Sequence, residues 1–175
     1  MASNGRAAAA TRLVVEPAEP PGDFREQLVE LLPHLRAYAR FLAKNRDLAD
    51  DIVQDSLVRM LKAEQQLRPN SNLKAWAFTV LRNRFYSHFH RKHLATAPLE
   101  EAYGARRAEQ EGGLSFRDFH QAFWQLPESH REVLMLIGRS GLSYEDAAKV
   151  CGCQIGTIKS RLSRARRDLR RKLES

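Results

Sequence analysis

The chain of 175 residues carries a formal net charge of +8, from 29 Lys and Arg against 21 Asp and Glu, and is 43% hydrophobic. That is too apolar for a fully disordered chain and long enough for one ordinary domain or two small ones. No run approaches the roughly 18 apolar residues of a spanning helix, the N-terminus lacks a signal-type apolar segment, and Cys151 and Cys153 are too close for an ordinary staple, so a reduced, cytoplasmic protein with no membrane partner is expected.

Every periodic segment reads as helix. Residues 1–22, Ala-rich and then Pro-rich, read as a disordered arm. From Asp23, Leu28, Leu31, Leu32, Leu35, Ala39 and Leu42 recur at helical spacing, and Pro33 is expected to break or kink that helix or to open a new first turn. A second helix near Asp47 turns Ile52, Val53, Leu57, Met60 and Leu61 inward and leaves Asp50, Asp51, Gln54 and Asp55 outside. Turn residues Pro69, Asn70 and Ser71 precede a third helix with Leu73, Ala77, Val80, Leu81 and Phe85 as its buried stripe. Residues 94–114, with Pro98 and three glycines, read as a flexible linker. From Ser115 a helix reaches Leu126, the next starts at Pro127 with Val133, Leu134, Leu136 and Ile137 inside, and Ser143 is placed to cap the one after. The expected fold is all-α: two small helical domains, 23–93 and 115–175, joined by a linker.

The charge is unevenly partitioned. Residues 65–93 hold +6 with no acid, residues 154–175 hold a net +6, and residues 47–64 hold −3. Two separated basic faces suggest a polyanion touched at two places, because a surface charged for solubility alone mixes its signs.

The second basic block has the form of a helix-turn-helix. A short helix, Tyr144–Val150, meets a turn at Cys151-Gly152-Cys153 and then a long basic helix from Gln154. Ile155, Ile158, Leu162, Ala165, Leu169 and Leu173 form its inner stripe; Thr157, Ser160, Arg161, Arg164 and Arg171 lie opposite. Such a helix enters the major groove with its N-terminal residues at base edges. Gln154, Thr157, Lys159 and Arg161 carry suitable donors, whereas Arg164, Arg166, Arg167 and Arg170 suit phosphates.

The first basic block, Asn72–His93, interleaves Trp76, Phe78, Phe85, Tyr86 and Phe89 with Lys74, Arg82, Arg84, Arg91 and Lys92. Aromatic rings stack on unpaired bases and cations follow the backbone. About three of the five aromatics are expected in the core, leaving Arg82, Asn83 and Tyr86 for nucleic acid. The acidic ridge Asp50, Asp51, Gln54 and Asp55 disfavours DNA and suits a basic protein surface. His88, His90 and His93 match neither His-x3-His nor a zinc cysteine pair, and Arg91 and Lys92 between them repel a cation. No metal, cofactor, catalytic set or small-molecule substrate is expected.

With these residues in view, the chain resembles the extracytoplasmic-function (ECF) sigma factors of bacterial RNA polymerase, in the sigma-70 family. NRDLADDIVQDSLVRMLK is similar to their regions 2.1–2.2, LKAWAFTVLRNRFYSHFHRK to regions 2.3–2.4, and LPESHREVLMLIGRSGLSYEDAAKVCGCQIGTIKSRLSRARRDL to region 4. The resemblance covers roughly residues 23–92 and 115–173, in the family's order. LLPHLRAYARFLAKNRDLADDIVQ and SYEDAAKVCGCQIGTIKSR most resemble the alphaproteobacterial general stress response subgroup. Residues 1–22 have no counterpart, and the His-rich end of the third helix stands where the family usually shows more Arg.

The resemblance implies a sigma factor, not an enzyme, that binds core RNA polymerase and directs promoter-specific initiation of stress genes. Asp50, Asp51, Gln54 and Asp55 would dock on the clamp helices of the largest subunit; the flap region of the second subunit is the other implied contact. Arg68, Asn70, Ser71, Asn72, Lys74, Arg82, Asn83 and Tyr86 would read and hold the unpaired −10 element. Gln154, Thr157, Lys159, Ser160, Arg161, Arg164 and Arg167 would read the −35 element as duplex. A small anti-sigma protein is the implied inhibitor, removed when a phosphorylated response regulator with a sigma-like domain captures it. Histidine protonation below about pH 6.5 is expected to strengthen phosphate contacts. Two other readings stay open at this point: a stand-alone helix-turn-helix repressor, which leaves the acidic ridge and aromatic-basic helix unused, and a metal-dependent nucleic-acid enzyme using His88, His90 and His93.

Overall fold

The computed structural model describes residues 23–67, 71–95 and 114–174, with side chains as far as Phe89 in the third helix and from Arg117 in the fourth. Its first body holds three helices. α1 (Phe24–Ala43) buries Leu28, Leu35, Tyr38, Ala39, Phe41 and Leu42 along one side. It runs through Pro33 as one helix, so Pro33 neither breaks it nor opens a new first turn. Pro33 removes only the bond to the carbonyl of Val29, and both residues stand on the exposed face, where water can take the freed acceptor.

Lys44 ends α1 in the left-handed region (φ 53°), and Asn45 caps α2 (Arg46–Lys62) by accepting from the Leu48 amide at 3.0 Å. α2 buries Ala49, Ile52, Val53, Ser56 and Met60, with Leu57 half-buried. Ser56 fits this apolar face because its hydroxyl bonds back to the Ile52 carbonyl at 2.7 Å. Leu61, expected inside, is 44% exposed, since one step past Met60 is a rotation of about 100° away from the core. α3 (Leu73–Ala95) buries Leu73, Ala75, Ala77, Phe78, Leu81 and Phe85. Two of its aromatics are therefore buried rather than three, and Trp76, Tyr86 and Phe89 are half-buried.

The second body holds α4 (Leu114–Trp124), α5 (Glu128–Val133), α6 (Tyr144–Cys151) and α7 (Ile155–Leu173). Pro127 stands just before the first turn of α5, which continues into a wider turn of π type over Leu134–Arg139; there the Ser140 amide reaches back five residues to the Met135 carbonyl at 2.9 Å. Val133 and Leu136 are buried, whereas Leu134 and Ile137 are only half-buried. Ser143 caps α6 as expected, accepting from the Asp146 amide at 3.0 Å. Gly152, at φ +64°, closes α6 in the left-handed region and redirects the chain into α7. Ile158, Leu162 and Ala165 are buried, while Ile155 and Leu173, expected in the same stripe, are 38% and 45% exposed at the first and last positions of α7.

The two bodies share one apolar core. α3 lies along α6, and Phe41 of α1 meets Phe123 and Trp124 of α4 at ring distances of 6.3 and 6.2 Å. No described helix is long and apolar enough to cross a membrane.

Candidate nucleic-acid and protein interfaces

The outer face of α2 is acidic at one end and apolar at the other. Asp51, Gln54 and Asp55 are exposed; Asp50 is half-buried beside Arg46 at 4.0 Å. Val58 and Leu61 continue the same face at helical spacing and are 50% and 44% exposed. Sequence reasoning missed this apolar half because it placed Leu61 in the core. The ridge is also less free than expected: Asp55 accepts from Arg84 of α3, with Nε at 2.8 Å, and the pair ties α2 to α3.

The residues expected on unpaired DNA divide into two groups. Asn83, exposed on α3, lines a groove of about 500 Å³ between α2 and α3 together with Arg59, Ala63, Trp76, Val80, Arg84 and Ser87. This groove offers an indole wall, a carboxamide and two guanidinium groups. Asn72, Lys74, Arg82 and Tyr86 instead face the second body. Ser71 is exposed in the turn, and Arg68 and Asn70 lie outside the described residues.

On α7, Gln154 stands at the N-cap, and Lys159, Ser160, Arg164 and Arg167 are exposed, with Thr157 and Arg161 half-buried. The Ser160 hydroxyl bonds to the Thr157 carbonyl at 3.0 Å. Lys159, Ser163, Arg166, Arg167 and Arg170 line a second groove, about 420 Å³, closed on one side by Tyr144 of α6. Its cations and the acid-free first turn of α7 favour phosphate. Of the histidine cluster, only the side chain of His88 is described, edge-on to Phe89 at 6.4 Å; those of His90 and His93 lie beyond the described side chains of α3.

Comparison with known proteins decides between the readings. The sigma-70 region 2 model matches residues 28–94 and the sigma-70 region 4 model residues 116–169. The chain is 44% identical to the ECF RNA polymerase sigma factor EcfG of Rhodopseudomonas palustris, over 83% of this chain and 82% of that one. It belongs to the ECF sigma factors. A solved structure of the sigma factor RpoE in complex with the anti-sigma factor NepR from Bartonella quintana is 44% identical, with a TM-score of 0.72 over 87% of this chain and 97% of that one. The structure of CnrH in complex with the cytosolic domain of CnrY is 25% identical, with a TM-score of 0.63 over 86% and 87%. The family acts in transcription initiation rather than as an enzyme.

Regions 2 and 4 of this sigma factor meet across a polar seam that sequence reasoning did not foresee. Glu132, at the end of α5 and 5% exposed, accepts from the Tyr38 hydroxyl at 2.7 Å and from Arg82 Nε at 2.9 Å. Arg82 also lies over the Tyr86 ring, 4.6 Å from its centre. Burial works against the Arg82 charge, but the hydrogen bond and charge of Glu132 outweigh it and hold the guanidinium more firmly protonated than usual. Burial, and after it the charge of Glu132, raises the Tyr38 and Tyr86 phenols and pushes the Cys151 thiol up to about 12. At the other end of the seam Asn72 reaches Asp146, and Lys74 lies close to Gly141. Glu132 stood in a helix read only for its apolar stripe, so no periodic signal could have flagged it.

Proposed function

We propose that this ECF sigma factor grips core RNA polymerase through the outer face of α2, with Asp51, Gln54 and Asp55 meeting basic residues and Val58 and Leu61 adding apolar contact. Residues 23–93 and 115–175 then act as separate readers of one promoter. The α2–α3 groove with Trp76 and Asn83, and the Asn72, Lys74, Arg82 and Tyr86 face, hold the unpaired −10 element; α7 reads the −35 duplex. Gln154, Thr157, Lys159, Ser160 and Arg161 serve the base edges, and Arg164, Arg166, Arg167 and Arg170 the phosphates. The observation that carries this reading is the pairing of two cation-lined grooves, on α3 and α7, with an acidic-apolar face on α2.

The same reading places the protein in the cytoplasm, with no catalytic step of its own, under a small anti-sigma inhibitor. The likeness to RpoE, solved with the anti-sigma factor NepR, supports that inhibitor. Run-off transcription with core polymerase on a library of ECF-type promoters tests the proposal: a promoter-specific product that needs this chain is expected, and its absence removes the reading.

A further inference from the structure

The seam hides a face that the proposed function needs open. Lys74, Arg82 and Tyr86 are half-buried on the side of α3 that meets Gly141, Glu132 of α5 and α6, and Asn72, itself exposed, is tied to Asp146 at the edge of that seam. Arg82 is 20% exposed and its Nε is committed to Glu132; a guanidinium cannot give the same N–H to a phosphate at the same time. Asn72 has likewise committed its amide to Asp146 and its oxygen to its own helix.

The seam is also built to come apart. A buried carboxylate is tolerated only while its partners are in place, so Glu132 rewards closure through its bonds to Tyr38 and Arg82. Once the bodies separate, the carboxylate and the guanidinium both regain water, which limits the cost of opening compared with a wholly apolar joint. The charged groups facing this point are Arg82 of α3, Glu128 of α5, and Arg161 of α7 on the Cys151 side; Lys149 belongs to the Asp146 end.

We propose that Glu132 is an autoinhibitory latch: bound by Tyr38 and Arg82, it holds region 4 over the strand-binding face of region 2, and DNA access requires its release. This rests on the assignment of Arg82 and Tyr86 to the unpaired strand. The latch makes the free sigma factor a poor DNA binder without any inhibitor, and leaves opening to whatever separates the two regions.

The test uses the full chain, small-angle scattering and a mixed-sequence single-stranded DNA 20-mer as probe. Glu132→Ala is expected to enlarge the radius of gyration and to tighten binding of the 20-mer by about fivefold or more. Tyr38→Phe, which keeps the ring in its packing, is expected to give a smaller change in the same direction. An unchanged radius in both variants overturns the latch and leaves the strand-binding assignment untouched. A larger radius with unchanged affinity overturns that assignment, and the masking with it. Should Glu132→Ala lose helical circular dichroism, Tyr38→Phe decides alone: a gain in affinity supports the latch and wild-type affinity overturns it.

Discussion

Asn72 and Asp146 fasten the starts of two helices that lie 74 positions apart in the chain. The Asn72 amide donates to Asp146 Oδ2 at 2.6 Å while its oxygen caps α3 at the Ala75 amide, 3.1 Å away. The same Asp146 oxygen accepts from Ser143, the cap of α6, at 2.9 Å. Each side chain thus serves its own helix and the joint between regions 2 and 4.

A cap and a joint in one residue make the pair energetically coupled. Asn72→Ala is expected to cost about 1–2 kcal/mol and Asp146→Ala a comparable amount, with the double variant costing less than their sum. Urea denaturation of the four proteins measures it; strict additivity shows that the bond across the seam contributes nothing.

The proposed polymerase face on α2 calls for a more careful substitution than charge reversal along the whole ridge. Asp55→Arg sets a cation against Arg84 and loosens α2 from α3, so loss of binding there is ambiguous. Asp51→Arg with Gln54→Arg leaves that pair intact and is expected to abolish retention by core polymerase with the melting temperature unchanged. Leu61→Asp, at an exposed position, is expected to weaken retention likewise. Full retention by both variants removes α2 as the docking face.

On α7 the two kinds of cation separate by readout. Arg161→Ala is expected to cost about 1–3 kcal/mol on the preferred −35 duplex and to relax its sequence preference. Arg170→Ala, from the second groove, is expected to weaken all duplexes alike and to lower the salt slope by about 1. Competition binding against a randomised duplex at several salt concentrations distinguishes them.

Two glycines of the helix-turn-helix are expected to respond in opposite directions. A Cβ meets nothing at either Gly152 or Gly156, so backbone conformation alone decides. Gly152→Ala places a side chain at φ +64° and is expected to destabilise by about 1–2 kcal/mol. Gly156→Ala, inside α7, is expected to stabilise by about 0.4–1 kcal/mol. Thermal unfolding reports both signs.

Stability should fall in alkali through Cys151. Unfolded, its thiol titrates near about 8.5; folded, burial and the charge of Glu132 push it up to about 12. Between these values the unfolded chain has lost a proton that the folded chain keeps, so the stabilisation is complete below the lower value and drains away as pH rises towards the upper one. The raised phenols of Tyr38 and Tyr86 act in the same direction at higher pH. Urea midpoints from pH 7 to 10 are expected to fall less steeply in Cys151→Ser than in the wild type; equal slopes remove Cys151 as the cause.

Residue type and helical spacing by themselves determined the all-α class, the helix-turn-helix, the helix starts near Asp47 and at Ser143, and the division of charge into two basic blocks and an acidic one. These are local properties: a cap, an apolar stripe or a charge run is complete within a few turns of one helix. Tertiary structure alone decided where each stripe ends and what the polar side chains do. It carried α1 through Pro33, turned Leu61 and Ile155 outward, paired Asp55 with Arg84, and gave Arg82 and Asn72 partners 50 and 74 positions away. A donor reads the same in sequence whether it faces a phosphate or a buried carboxylate such as Glu132, because that difference lies in which helix packs against it, and packing is settled by contacts between distant residues.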